Sequence, residues 1–136
     1  MRVVLDTNVL ISAFLFGGIP RGILHSCLQG EPRLVISDAI LDELQGVLRR
    51  ERFGLPADRV RAIVYDVTTI GDVVTTTSTV TVISEDPSDN AVLECALDGK
   101  ADDIVSGDKH LLDLENYRGI GIMDPRRFMD SQLRQG

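Results

Sequence analysis

RVVLDTN, residues 2–8, is an apolar run closed by an acid, a hydroxyl and an amide. Three consecutive apolar side chains without alternation suit a strand buried on both faces, and that reading organises the rest of the chain. RLVI (33–36) repeats it and ends at Ser37-Asp38. DDIVS (102–106) ends at Gly107-Asp108, and IGIM (120–123) ends at Asp124-Pro125. A further strand is expected within the β-branched stretch VVTTTSTVTVI, 73–83. Helical patterns fill the intervals at 9–16, 20–29, 38–50, 56–70 and 87–98, and a last one follows Pro125. Strand and helix alternate throughout, which predicts a three-layer α/β/α domain spanning 1–136.

Two of the strands deliver an acid at their carboxyl ends, Asp6 and Asp108. Ligands of open parallel sheets sit at that edge, and right-handed crossovers bring those ends to one side. Helix geometry then selects two more acids. At about 100° per residue, Glu43 lies at the edge of the apolar face centred on Leu44, while Asp42 points to solvent. On the 87–98 helix Asp89 falls in the middle of the face formed by Val92, Leu93, Ala96 and Leu97, with Glu94 and Asp98 outward. Each acid alone has an ordinary reading. Asp89 suits the first turn of a helix, Asp6 suits a strand-to-helix cap, and Glu43 suits an exposed surface. Asp86, before Pro87, reads as an N-cap and rivals Asp89, and Glu85 adds a further acid.

Taken together, four carboxylates in one cleft need a counter-charge. Two at about 4 Å repel by roughly 4 kcal/mol at an effective dielectric of 20. A hard, oxygen-seeking divalent cation, Mg2+ or Mn2+, resolves this. No His or Cys accompanies the set, so zinc is disfavoured. Both histidines lie elsewhere in the pattern: His25 reads as a mid-helix structural residue, and for His110, after Asp108-Lys109, an approach to the cleft mouth is the alternative. A carboxylate-held ion with bound water suits phosphodiester hydrolysis.

The formal charge of −7, from 14 basic and 21 acidic residues, argues against nucleic acid at first sight. A metal reverses the local field, however, and all but Lys100 and Lys109 of the basic residues are Arg, which suits bidentate phosphate contacts. Arg49, Arg50 and Arg52, with Lys109, are candidate nucleic-acid phosphate contacts. Arg59 with Arg61, and Arg126 with Arg127, form further clusters, and solvated helix faces are the alternative for each. Cys27 and Cys95 read as small buried hydrophobes without a disulfide. No apolar stretch approaches the length of a membrane span, and MRVVLD is not a signal peptide, so a cytoplasmic location is expected.

DTNVLISAF (6–14), SDAILDEL (37–44), DPSDNAVLECAL (86–97) and SGDKHLLDL (106–114) together resemble the successive signatures of PIN-domain proteins. The nearest likeness is to the VapC-like toxins of toxin-antitoxin pairs. The resemblance implies a five-stranded parallel sheet of order 3-2-1-4-5 with helices on both faces. It also implies RNA cleavage with Mg2+ or Mn2+ held by a quartet of acids, which falls on Asp6, Glu43, Asp89 and Asp108. Thr7 and Asn8 would orient the carboxylates, and Ser106 would position a ligand or phosphate, with turn and cap chemistry the alternative for all three. A protein antitoxin and a homodimer are the implied partners. A receiver domain would need an acidic neighbour for Asp6, and a haloacid-dehalogenase phosphatase would need an acid where Asn8 stands. The remaining alternative is a PIN domain that only binds RNA or protein.

Overall fold

The computed structural model describes residues 1–83 and 86–134 in full and Gln135 by its backbone. Glu85, the extra acid noted in the sequence, lies outside the described residues.

Strand β1 (Arg2–Leu5) has Val3, Val4 and Leu5 all buried. Successive strand residues face opposite sides of a sheet, so both faces of β1 are covered. The same holds for β2 (Arg33–Ser37) and β4 (Asp103–Val105). Helices α1 (Thr7–Leu15) and α2 (Gly18–Leu28) follow β1 and meet at 97°. Gly17 makes that corner at φ 85°, a conformation that L side chains resist. Helices α3 (Asp38–Leu48) and α4 (Ala57–Ile70) lead from β2 to β3 (Asp72–Val74). Helix α5 (Pro87–Asp98) precedes β4 and packs on β1, β2 and β4. A short α6 (Lys109–Leu112), β5 (Asn116–Tyr117), β6 (Ile120–Met123) and α7 (Pro125–Gln135) complete the chain.

The sheet order is β3-β2-β1-β4-β6-β5. The first five of these pair in parallel, in the expected order 3-2-1-4 with the IGIM strand beyond. The sheet has six strands rather than five, because Asn116–Tyr117 adds an antiparallel edge strand through a tight turn back to β6. Strand order reverses at β1, between β2 on one side and β4 on the other. That switch point opens a crevice at the carboxyl ends of β1 and β4.

The 73–83 stretch departs from expectation. Only Asp72–Val74 pairs as a strand, and residues 75–81 form an extended strap without a ladder. Side chains of α5 take its amides. Asp98 accepts from the N–H of Thr77 (2.6 Å) and Ser78 (2.9 Å), Glu94 from Val80 (2.9 Å) and Asn90 from Ile83 (2.9 Å). Glu94 and Asp98, read as pointing outward, therefore act as backbone acceptors one helical turn apart. At the other end of α5, a Cβ on Gly99 would come within 2.3 Å of Val35 Cγ1, so the close approach of helix to strand requires glycine there.

Both thiols are buried and free, and burial pushes each up to about 12. Among the described residues no single helix is long and apolar enough to cross a membrane.

Candidate metal centre

The register Leu5↔Val105 brings the residues after β1 and β4 side by side. The Asp6 N–H donates to Val105 O at 3.0 Å, which closes the parallel ladder at the switch point. Asp6 stands at the N-cap of α1 but makes no side-chain cap bond, so its carboxylate is left for other partners. One is Ser106, fully buried, whose Oγ–H donates to Asp6 Oδ2 at 2.6 Å. The same Oγ accepts from the Asp108 N–H at 2.9 Å. Ser106 thus fixes the Asp6 carboxylate against the loop that carries Asp108. Asp108 in turn caps α6, its Oδ1 accepting from the His110 N–H at 2.8 Å.

Helix α5 supplies two acids from its first turn. Asp86 is its N-cap, with Oδ1 accepting from Ser88 N–H (3.0 Å) and Ser88 Oγ–H (2.6 Å). Asp89 is only 3% exposed, and its Oδ2 is buried without a hydrogen-bond partner. Asp86, Asp89 and Asp108 each offer an oxygen within 4.8 Å of the other two. Asp6 and Glu43 are close enough to feel this charge. Burial raises the Glu43 pKa and the Asp6 and Asp86 carboxylates raise it further, while Ser88 and Arg50 oppose the shift.

The electrostatics follow from that crowding. Burial raises Asp6 above the usual carboxylate range, partly offset by Ser106 and the Thr7 amide, and Asp108 and Asp86 add to the rise. Asp89 is pushed up to about 7, by burial first and then by Asp108, Asp86 and Asp6. No salt bridge reaches any of these acids among the described residues. At 4.8 Å one pair repels by roughly 3 kcal/mol at an effective dielectric of 20.

A divalent cation fits this set. Oxygens bound at about 2.1 Å around an octahedral ion lie roughly 3 to 4 Å apart, within the 4.8 Å limit that the three carboxylates meet. The orphaned Asp89 Oδ2 is a buried acceptor that a cation, or a proton shared with Asp108, would satisfy. The group contains carboxylate oxygens alone, the donor type preferred by Mg2+ and Mn2+.

Of the four acids singled out in the sequence, Asp89 and Asp108 meet in the tight group, while Asp6 and Glu43 border it. Asp86 is the third member, because one carboxylate both caps a helix and faces the cluster. Asp42 is exposed and Glu43 half-buried, as the helical face requires. The Thr7 hydroxyl is buried without a partner, and Asn8 is exposed and makes no side-chain bond to the acids among the described residues. Arg49, Arg50 and Arg52 are exposed at the end of α3, with Arg52 over the Phe53 ring at 4.8 Å. Lys109 and His110 are exposed on α6. His25 is exposed on α2, paired with Gln29 at 3.3 Å and remote from the acids. A separate cavity of about 520 Å³ lies among α1, α2 and α4 and is lined mainly by apolar side chains, including Leu24, Leu28, Tyr65 and Ile70. Among the described residues its lining holds one acid, Asp66, and none of the clustered carboxylates.

The family model of the PIN domain matches residues 2–110. The chain belongs to the PIN-domain family. Among solved structures, this PIN domain is similar to a chain of the crystal structure of VapBC2 from Rickettsia felis bound to a DNA fragment from their promoter. The match has a TM-score of 0.64 and 14% identity, and covers 91% of this chain and 98% of that one. At that identity the likeness shows the fold. No curated protein matches this chain.

Proposed function

We propose that this PIN domain is a Mg2+- or Mn2+-dependent endoribonuclease, the toxin of a toxin-antitoxin pair. The buried, unpartnered Asp89 Oδ2 inside a cluster of acids carries the reading, because no salt bridge among the described residues neutralises that cluster. Asp86, Asp89 and Asp108 would hold the ion directly, with Asp6 and Glu43 completing the acidic rim. When bound, the ion supplies a polarised phosphoryl oxygen and a water of lowered pKa. Ser106 holds the Asp6 carboxylate in one orientation. Glu43, with its raised pKa, is suited to share a proton with an attacking water, and Thr7 and Asn8 flank the first acid.

Arg50 lies just past the end of α3, seven residues after Glu43, and lowers its pKa, so this member of the Arg49, Arg50 and Arg52 cluster adjoins the acids. With Lys109 it offers the cationic rim an RNA backbone needs beside a negative centre. The VapBC2 structure contains a toxin-antitoxin pair, which supports a protein antitoxin here, and a homodimer in the cytoplasm completes the proposal. The single domain is proposed to span residues 1–136.

The test is cleavage of total RNA by the purified protein. Mn2+ or Mg2+ is expected to support cutting, EDTA to stop it, and restored Mn2+ to recover it. Cutting that survives chelation, or RNA left intact under every metal, contradicts the reading and favours a binding module.

A further inference from the structure

The acids of α5 sit on a helix end, and helix ends fray. Here the first turn carries both Asp86 and Asp89, which repel each other and Asp108. Something must hold that turn in place. Asp86 fixes its own side chain through Ser88, but the chain entering the turn needs a separate anchor.

Asn90 is placed to supply it. Its Oδ1 accepts from the Ile83 N–H at 2.9 Å, and its Nδ2 donates to the Ile83 carbonyl. The side-chain amide thereby pairs with both polar groups of one residue, as a neighbouring strand would. Ile83 is itself buried in the core, so the anchor point is fixed on both counts. Ile83 lies three residues before Asp86 and Asn90 one residue after Asp89, so the clamp brackets two of the three clustered acids. Glu94 and Asp98 hold the same strap farther from the acids, at Val80 and at Thr77 and Ser78.

We propose that Asn90 is a positioning residue for the metal centre, acting through Ile83 to keep Asp86 and Asp89 converged against their mutual repulsion. This inference rests on the proposed metal site. It differs from mere strap packing in one respect: loss of the clamp should cost metal affinity in a way that loss of the next bond along does not.

The experiment is Mn2+ titration calorimetry on the whole protein, with thermal melting in EDTA and hydrogen exchange at the Ile83 amide. Asn90→Ala is expected to speed exchange at Ile83 and weaken Mn2+ binding by about tenfold or more, the usual scale for groups that orient metal ligands. Glu94→Ala, which frees Val80 instead, is expected to bind Mn2+ within about twofold of the parent on that scale. If Asn90→Ala does not fold, Asn90→Ser replaces it, since a single hydroxyl cannot span both Ile83 groups. Faster exchange at Ile83 with unchanged Mn2+ affinity overturns the inference, as does equal weakening by Glu94→Ala. Asp89→Asn serves as the reference for the site itself. A parent that binds no Mn2+, or an Asp89→Asn protein that binds as the parent does, overturns the metal site and this inference with it.

Discussion

Asp89→Asn is expected to abolish metal-dependent RNA cleavage and, at the same time, to raise the melting temperature of the metal-free protein. The two effects share one cause. Asp89 is almost fully buried, has an oxygen with no donor, and carries a pKa near 7 because burial and the Asp108, Asp86 and Asp6 carboxylates all disfavour its charge. Asparagine keeps the shape and removes the charge. Its amide N–H groups then find acceptors in the carboxylates that previously repelled it. Substituting a group that merely orients a metal ligand costs 10- to 100-fold, so loss of a ligand should exceed about 100-fold. Relief of part of a repulsion of roughly 3 kcal/mol should add about 1 kcal/mol of stability, or roughly 4 °C for a domain of this size. RNA cleavage with Mn2+ and melting in EDTA measure the pair. A variant that cuts normally removes Asp89 from the site. One that cuts poorly and also melts lower makes Asp89 a structural residue.

The second large effect is a pH dependence opposite to that of most paired carboxylates. In the unfolded chain Asp89 titrates near its ordinary 3.8, and in the metal-free fold near 7. Below about pH 4 both states hold the proton, and the fold bears no cost. Between about pH 4 and 7 the unfolded chain releases its proton and the fold does not, so stability falls as pH rises, and the loss is complete above 7. Asp6 and Glu43, also raised by burial, act in the same direction. Asp98, held low by Ser78 and Thr77, titrates below this window and leaves it unchanged. The cluster releases its protons as a coupled set, so the transition should be broad. Protein in EDTA is therefore expected to melt several degrees lower at pH 8 than at pH 5. Excess Mn2+ competes with protons for the same oxygens, so its stabilisation should be greatest at pH 8. A metal-free melting temperature that climbs from pH 5 to 8, or a Mn2+ shift equal at both, contradicts the electrostatic account.

The strands of the central sheet were legible because burial on both faces leaves an unbroken apolar run, as in Val3-Val4-Leu5. The separation of Glu43 from Asp42 was legible for a similar reason, since helical periodicity assigns neighbouring residues to different faces. The β5 strand was not. It is only two residues long, and although Gly119 marks the turn after it, the positive φ at Glu115 and Arg118 falls on residues that carry no turn signal. The strap at 75–81 was hidden by its composition. Threonine and valine favour strands, but here the amides are satisfied by α5 side chains from a distance that no local pattern records. The same bonds reverse the reading of Glu94 and Asp98. Asp86 was recognised as a cap, and nothing in one dimension distinguishes a carboxylate that only caps from one that also faces two others across a crevice. Helix α6 was missed because four residues are too few to display a period.

The account depends on Asp86, Asp89 and Asp108 converging on one cation, and a crystal soaked in Mn2+ and measured at the manganese absorption edge tests that directly. The expected result is an anomalous peak at bonding distance, about 2.1 Å, from an oxygen of each of the three carboxylates. An anomalous map empty in the crevice between β1 and β4, with Mn2+ only on scattered surface acids, would contradict it.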